Sequence, residues 1–464
     1  MTSKKTIIIF AVSNLYLLLL CLFSHGEYLL SNIVMAISFM ASIIYIYDVS
    51  QGFFSVNNLI YTVMFGIGFF ARYLLILIAP EYLMSFAPRP LHPENIYYLK
   101  TSVVLFLFVV SFASAKHVRF RLRNKNMDEK ANSARLKQYF TADIFESKFA
   151  IFLFVVSMAI GFGYRFTHIR VATENIYGVY DTMFGLFISI AKILAYGFII
   201  QFNRNHRPRN LFLYLVYLIP IVILSFLQAW KGTLLLESLI LCIVFNEGIR
   251  KFKFKYFIFI ALIAFFIFPS ISMLRDNLRF ATNYSININS ILEYNRDNNV
   301  LLYYSNRLQF YDEAFYVINT NTEDIVAYQN EAKGIITRFF SGLIPRTLWN
   351  DKPIVNSGRY VTYTLLHYPS TVYNNLSIGF VGDAYVSYGV IGVIIFGFVL
   401  SKGINYLEKM KLKKKTSFHQ AIYLAFASVF FSYMEGDIAT KSISVVLLLL
   451  SITLIKVVFR TSKA

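Results

Sequence analysis

The stretch IPRTLWNDKPIVNSGRYVTYTLLHYPSTVYNNLSIGFVGDAY, residues 344–385, carries the chain from a polar segment into a strongly apolar one. The polar segment that it closes, residues 274–376, is bounded on both sides by apolar runs. It holds several cations able to bind an anion, and one histidine, a residue type that exchanges protons near neutral pH. The sequence around it predicts helices that hold this segment at a membrane surface.

The composition excludes a soluble protein. Of the 464 residues, 57% are hydrophobic and 15% are charged, and the mean hydropathy is +0.56. Such values predict many membrane spans. The formal net charge of +19 would favour a nucleic-acid partner in a soluble protein. Here the basic residues cluster beside apolar runs, as the positive-inside rule describes, so we expect no nucleic-acid partner.

Twelve apolar runs are candidate membrane spans, since about 20 apolar residues cross the hydrocarbon core as a helix. They lie near residues 6–23, 29–47, 58–79, 99–116, 148–163, 182–202, 211–228, 232–246, 255–273, 379–400, 418–433 and 441–458. The sequence therefore predicts an all-α polytopic membrane protein with twelve transmembrane helices. Residues 1–273 form spans one to nine, residues 274–376 form one large extracytoplasmic loop, and residues 377–464 form spans ten to twelve.

Lysines and arginines orient these spans, because positively charged loops remain in the cytoplasm. The strong clusters lie at the chain start, at 116–125, at 204–209, at 250–255, at 409–415 and at the chain end. They fall on the same side only if the number of spans is even. We therefore expect both termini in the cytoplasm and the large loop outside it.

Two amphipathic helices are expected in this loop. Leu308, Tyr311, Phe315 and Ile318 repeat at helical spacing, and so do the apolar residues of 335–343. The second helix should end before the proline at 345, and one face is apolar enough to lie in the membrane interface. That would bring the chain just after it, with Arg346 and Trp349, to the headgroup level. The flat ring of Trp349 suits either a sugar ring or an interfacial aromatic belt.

Basic residues on the outer side run against the positive-inside bias, so they are stronger candidates for ligand binding than the inner clusters. Arginine in particular grips phosphate oxygens through two parallel hydrogen bonds. The alternative is that these residues form salt bridges with acids of the same loop. The outer basic residues selected as candidates are Arg165, Arg170, Lys231, Arg275, Arg279, Arg307, Arg338, Arg346, Lys352 and Arg359.

Four side chains of this region are candidates for a general base, namely His367 and, if burial raises the pKa of the carboxyl, Asp312, Glu313 or Asp383. A lone histidine in a loop is alternatively a surface or hydrogen-bonding residue. Asp383 stands at the entry to a predicted span, where an ionisable group is costly and often functional. Its alternative role is to cap the positive end of that helix. Glu435 and Asp437 carry the same argument at the outer end of the eleventh span.

The sequence contains no nucleotide-binding or calcium-binding motif. Its histidines, cysteines and acids also lack the spacing of a metal site. We therefore expect neither a metal ion nor a cofactor, and the arginines would have to stabilise any departing phosphate.

Several stretches resemble the bacterial O-antigen polymerase family, the Wzy-type oligosaccharide repeat-unit polymerases. They are IPRTLWNDKP at 344–353, NSGRYVTYTL at 356–365 and NNLSIGFVGDAYVSYGVIGV at 374–393. RLQFYDEAFYVI at 307–318 is similar to the arginine-led helix that precedes this block in the family. QAWKGTLL at 228–235 lies where members carry a glycine with a basic residue at an outer span end. Many spans with one large outer loop late in the chain are also typical of the family.

The resemblance implies metal-independent glycosyl transfer on the periplasmic face of the bacterial inner membrane. Its substrate would be undecaprenyl-pyrophosphate-linked oligosaccharide, its product O-antigen or a related surface polysaccharide, and its partners membrane lipids and a chain-length regulator protein. Arg346, Arg359 and Arg275 would stabilise the departing pyrophosphate, and His367 or Asp383 would deprotonate the acceptor hydroxyl. The further binding candidates are Arg307, Lys352, Arg165, Arg170 and Trp349.

Two other functions stay open. An O-antigen ligase-like transferase moves glycan from the same carrier to a different acceptor and needs similar outer cations. A flippase for the lipid-linked oligosaccharide would be a transporter. The large outer loop, the lack of a repeated half and the scarcity of charged residues within the spans favour an enzyme over a transporter.

Overall fold

The computed structural model describes most of the helical parts of the chain. The described residues are 3–23, 28–47, 56–78, 94–117, 144–167, 179–227, 231–247, 273, 289–290, 293, 310–344, 349, 353, 357–367, 378–413, 416–433 and 437–461. Within these residues every regular element is a helix.

The helices are numbered in chain order. They are α1 Ser3–Phe23, α2 Leu29–Tyr45, α3 in three consecutive segments Val56–Ile60, Tyr61–Ala71 and Arg72–Ile78, α4 Asn95–His117, α5 Lys148–Thr167, α6 Val179–Asn205, α7 Pro208–Leu227, α8 Lys231–Glu247, α9 Phe310–Asn319, α10 Thr322–Ala332, α11 Ile335–Leu343, α12 Gly358–Tyr360, α13 Gly379–Lys413, α14 Ser417–Tyr433 and α15 Ile438–Thr461. The middle segment of α3 has π-type hydrogen bonding, as does the turn Val361–Leu365 that continues α12.

Every predicted span except the one near 255–273 coincides with a described helix. That run lies outside the described residues apart from Met273. In the described part of the chain, seven helices are long and apolar enough to cross a membrane. Shorter apolar segments occupy Ala11–Phe23 of α1 and Leu29–Tyr45 of α2. The described helices are those of a polytopic membrane protein.

The chain divides into two compact units. Unit 1 comprises Met1–Val118, Asn299–Tyr406 and Phe431–Lys441. It contains α1 to α4, the loop helices α9 to α12 and most of α13. Phenylalanines of α3 and α4 form its core, with the rings of Phe65 and Phe108 stacked at 5.7 Å between centroids. Helices α2 and α4 pack against each other, and α9 packs against α4 and α3.

Helices form at both positions where amphipathic helices were predicted, α9 and α11. All ten residues of α9 are buried, so its polar residues are enclosed by protein as well as its apolar ones. Aromatic side chains of α3 and α4 pack against the aromatic residues of α9. Helix α11 forms over the predicted residues, and α10 is an element that the periodicity did not predict.

Helix α13 is broken near its start. Tyr388 has φ −144° and ψ 16°, and Gly389 has φ 63°, a left-handed conformation that glycine adopts without steric cost. The sequence predicted one continuous span at 379–400. The break separates a short, mostly buried helix that carries Asp383 from the apolar helix beyond it.

Unit 2 comprises Arg119–Asn298, Leu407–Phe430 and Ser442–Ala464. It contains α5 to α8 and most of α14 and α15. Helix α6 packs against α5 on one side and α7 on another, and α7 packs against α8. Its core is largely aliphatic and aromatic, and it buries two acids that accept hydrogen bonds from tyrosines, Glu237 and Glu408.

Candidate functional site

Arg338 of α11 is the centre of a buried ionic cluster in unit 1. Its Nη2 donates to Oδ1 of Asp383 at 2.6 Å, and its Nη1 donates to Oδ2 of Asp437 at 3.3 Å. The side chains of Arg338 and Asp383 have no exposed surface, and Asp437 is buried as well. We call these three residues the Arg338 cluster. One cation is thus shared by two carboxylates that come from different helix ends.

Backbone amides satisfy the remaining carboxylate oxygens of the cluster. Ile438 N–H, at the start of α15, donates to Oδ2 of Asp383 at 2.9 Å. Asp437 caps the same helix, since its Oδ1 accepts from Thr440 N–H at 3.1 Å. The backbone N–H of Ser357 donates to Oδ2 of Asp437. The positive end of a helix therefore helps to compensate the second negative charge.

The surroundings of the cluster keep Arg338 charged. Burial opposes the charge on the guanidinium, but the combined interactions with Asp383, Tyr328 and Asp437 outweigh it and raise the pKa of Arg338 above its ordinary value. Tyr328 of α10 lies beside the same charges, and burial raises the pKa of its phenol. Removing one partner of such a buried pair typically costs about 3–5 kcal/mol, because the other charge stays buried without compensation. The cluster is a strong anchor of α11.

A second buried ion pair anchors α9. Arg72 of α3 donates from Nε to Oδ1 of Asp312 at 2.8 Å and from Nη2 to Oδ2 at 2.6 Å. This geometry is the bidentate fork that matches a guanidinium to a carboxylate. Lys100 Nζ also donates to the carbonyl of Ile318 at the other end of α9, at 2.5 Å. Both ends of the helix are thereby joined to predicted spans of unit 1.

His367 and Asp324 lie close together at the surface of unit 1. The distance from His367 Nε2 to Asp324 Oδ2 is 3.1 Å, and the side chains are 32% and 23% exposed. His367 has φ 53°, a left-handed conformation in which histidine is enriched among non-glycine residues. It follows the turn Val361–Leu365, which packs against α10. We call His367 and Asp324 the surface pair, and a carboxylate in this position can orient the imidazole ring.

The elements that carry the surface pair are tied to the rest of unit 1 by further hydrogen bonds. Gln329 Nε2 of α10 donates to the carbonyl of Val386 in α13 at 2.7 Å. Tyr316 Oη of α9 donates to the carbonyl of Leu365 at 2.9 Å. These bonds hold the histidine and its acid against buried helices.

Two of the predicted site residues belong to unit 1: His367 lies at its surface and Asp383 lies in its core. Trp349 is half-buried in the same unit, whereas Arg165 is half-buried in the last turn of α5 in unit 2. The backbone of Arg359 belongs to α12, but its side chain lies outside the described part of the chain. Five predicted cations lie outside the described residues altogether, namely Arg346, Arg275, Arg307, Lys352 and Arg170.

The capping role considered for Asp383 is realised at a different helix. It does not cap α13, on which it lies, but accepts the first amide of α15. Asp437, to which the same argument was applied, caps α15 directly. Arg338 was not singled out from the other outer cations. The available signal was its position opposite the apolar stripe of a predicted amphipathic helix.

A carboxylate in unit 2 was missed by sequence reasoning. Glu237 of α8 is buried and accepts from Tyr196 Oη, at 3.0 Å to Oε1, and from Tyr217 Oη, at 3.2 Å to Oε1. Arg165 interacts electrostatically with Tyr217. The signal was present, since Glu237 is the one acid inside the apolar run 232–246.

Metal chemistry has no obvious centre in the described residues. No three histidine, cysteine, aspartate or glutamate side chains come together there in a way that could hold a metal ion. The Arg338 cluster has only two carboxylates, and a cation already occupies the space between them.

Comparison with known proteins leaves the chain without an assigned relative. No protein-family model, no curated protein and no solved structure matches it.

Proposed function

We propose that this protein is a polymerase that joins lipid-linked oligosaccharide repeat units into a surface polysaccharide on the outer face of the bacterial inner membrane. In this proposal the chain crosses the membrane twelve times, with both termini in the cytoplasm and residues 274–376 outside it. The resemblance of the loop to Wzy-type polymerases suggests the reaction. The observation that supports it is the surface pair, a histidine held by a carboxylate on loop elements bonded to the helices of unit 1.

Glycosyl transfer needs a base at the acceptor hydroxyl and a positive site at the departing phosphate. The acceptor oxygen bonds to the anomeric carbon of the growing glycan while the bond from that carbon to the pyrophosphate oxygen breaks. The bonding electrons leave with the pyrophosphate, and the hydroxyl proton passes to the base. If His367 Nε2 donates to Asp324, Nδ1 is the nitrogen free to accept that proton. We assign the base role to His367.

Asp383 is less suited to accept a proton from a substrate. Its carboxylate has no exposed surface, and its two oxygens accept from Arg338 and from Ile438 N–H. We assign it the role of an anchor for α11 and the start of α15. The leaving-group site is assigned to Arg346, Arg359 and Arg275, on the resemblance and on the affinity of arginine for phosphate.

The proposal is tested by deleting the gene in its own host and separating the surface polysaccharide on a gel. The lipid-linked intermediates are extracted in parallel, and a plasmid copy of the gene serves as the control. We expect the ladder of long glycans to collapse to a single repeat unit on the acceptor, and the plasmid copy to restore it.

Other outcomes of the same experiment point to the alternatives. Long glycan stranded on the lipid carrier would indicate a ligase-like transferase. An undecorated acceptor with repeat units trapped on the inner face would indicate a flippase. An unchanged ladder would overturn every glycan function considered for this chain.

A further inference from the structure

Helix α11 presents its two faces in the reverse of the usual arrangement. Its buried face holds Ile335 together with the polar residues Arg338 and Ser341, whereas its exposed face holds the large apolar residues Ile336 and Phe340, which are 58% and 51% exposed. Ile344, one turn further on, is exposed as well. A surface helix in water buries its apolar stripe and exposes its polar one. The apolar stripe Ile336, Phe340 and Ile344 therefore requires a different neighbour from water.

The buried face fixes α11 at the ends of two helices that can cross a membrane. Arg338 binds Asp383, near the start of α13, and Asp437, which immediately precedes α15. Both α13 and α15 contain stretches long and apolar enough to span a bilayer. A helix tied to the starts of two such spans lies where hydrocarbon gives way to headgroups.

The apolar stripe is also continuous with the exposed surface of α13. Ile336 N–H donates to Tyr388 Oη at 3.2 Å. Gly334 approaches Tyr388 so closely that a Cβ at this position would lie 2.5 Å from the hydroxyl. Tyrosine is enriched at membrane interfaces because it pairs an apolar ring with a polar end.

Beyond Tyr388, α13 exposes a row of aliphatic side chains. Ile391, Ile395 and Val399 are 69%, 52% and 57% exposed. Aliphatic side chains exposed along a membrane span contact lipid, because the hydrocarbon core around the span contains no water. The stripe of α11 thus begins beside the end of a lipid-facing surface.

From this continuity we infer that α11 is an interfacial helix, with Ile336, Phe340 and Ile344 inserted among the phospholipid chains of the bilayer. Its polar anchor points into the protein and its apolar stripe into lipid, the arrangement expected of a helix lying in the interface plane. The chain that follows α11, with Arg346 and Trp349, then starts at the level of the lipid headgroups. This inference does not depend on the proposed glycan chemistry.

Spin labels on the purified full-length protein test this placement. In a Cys21→Ser/Cys242→Ala background, Ile336→Cys and Phe340→Cys are labelled with a nitroxide. The protein is reconstituted into phosphatidylethanolamine and phosphatidylglycerol vesicles. Collision rates with oxygen, which concentrates in lipid, and with a water-soluble nickel chelate are then compared. Ile395→Cys on α13 is the lipid control, and Asn330→Cys, exposed on α10, is the aqueous control.

We expect both α11 labels to favour oxygen over the nickel chelate, as Ile395→Cys does and Asn330→Cys does not. Preference for the chelate would overturn the inference by placing the stripe in water. Low collision rates with both reagents would also overturn it, because a protein partner would then cover the stripe.

A second measurement keeps the test decisive if a labelled variant misfolds. Phe340→Trp in a Trp230→Phe/Trp349→Phe background keeps an aromatic, largely apolar side chain at this position. Phospholipids brominated on their acyl chains should quench its fluorescence. Fluorescence unchanged by bromination would contradict insertion of the stripe.

Discussion

The two units bury carboxylates in different ways. In unit 1, Asp383 and Asp437 share the guanidinium of Arg338 and accept backbone amides at the start of α15. In unit 2, the hydrogen bonds to Glu237 come from the neutral hydroxyls of Tyr196 and Tyr217. An ionic cluster holds polar helix ends in place, whereas phenols join helices within an apolar bundle. The two should differ sharply in what the loss of one partner costs.

The largest effect is expected for Arg338→Leu. It leaves two buried carboxylates without their cation, and we expect a loss of about 5 kcal/mol, the upper end for breaking a buried pair. The measurement is the thermal stability of the detergent-solubilised protein, followed by fluorescence-detected size exclusion. Arg207→Leu is the matched control, because Arg207 pairs with Glu146 at the same 2.6 Å but is 53% exposed. Equal stability of the two variants would refute the anchoring role of the cluster.

A somewhat smaller loss is expected for Arg72→Met, which leaves one buried carboxylate, Asp312, without its bidentate partner. We expect about 3 kcal/mol by the same stability assay. The double variant Arg72→Met/Asp312→Leu should recover most of this loss, since an apolar pair of similar volume removes the uncompensated charge. Failure of the double variant to recover would mean that the contact of α9 with α3 depends on the ionic geometry itself.

A smaller loss again is expected in unit 2 for Tyr196→Phe. The substitution removes one hydrogen bond to the buried carboxylate of Glu237, which still accepts a hydrogen bond from Tyr217. The loss of one such bond costs about 2 kcal/mol. Tyr214→Phe is the control, because Tyr214 is equally buried but its hydroxyl has no hydrogen-bond partner within the described residues. Thermal unfolding of the two variants compares a bonded with an unbonded phenol. If both lose the same stability, the phenol contacts of Glu237 contribute nothing specific.

The smallest effect on stability is expected for His367→Asn, at most about 1 kcal/mol, as for other partly exposed ion pairs. Asparagine also tolerates the left-handed backbone at this position. The effect on function should be large, with loss of the polysaccharide ladder when the variant replaces the native gene. His206→Asn is the control, because His206 has the same φ of 53° and follows α6 in unit 2. A normal ladder from His367→Asn would remove His367 from the proposed mechanism.

The periodicity and apolarity of the sequence predicted the helices well. Each span except the one near 255–273 coincides with a described helix, although α13 continues to Lys413, well past the predicted end at 400, and α11 ends just before the proline, as expected. The break at Tyr388 and Gly389 was not predicted, because a glycine in an apolar run is also common in unbroken membrane helices. The complete burial of α9 was not predicted, because its apolar spacing describes one face only and its acid Asp312 is buried through a distant partner, Arg72.

The candidate site was predicted in part. Asp383 and Asp437 were selected because ionisable residues at span ends are costly, and both lie in the Arg338 cluster. His367 was selected for its chemistry alone, and its partner Asp324 was not identified. Glu237 could have been found by the same rule that selected Asp383, since it interrupts an apolar run. That rule could not have found the role of Arg338, because this role depends on which acids lie beside the guanidinium in the folded protein.

The sequence by itself determined which segments are helical and apolar, because these properties depend on residues within a few turns of one another. Only the tertiary structure decided which charges meet. Arg338 reaches Asp383 across 45 residues and Asp437 across 99, and Arg72 reaches Asp312 across 240. Whether an arginine binds a ligand or a buried acid depends on such distant contacts, which no local pattern records. In the folded protein one of the outer cations, Arg338, anchors α11, and the apolar stripe of that helix lies on the surface.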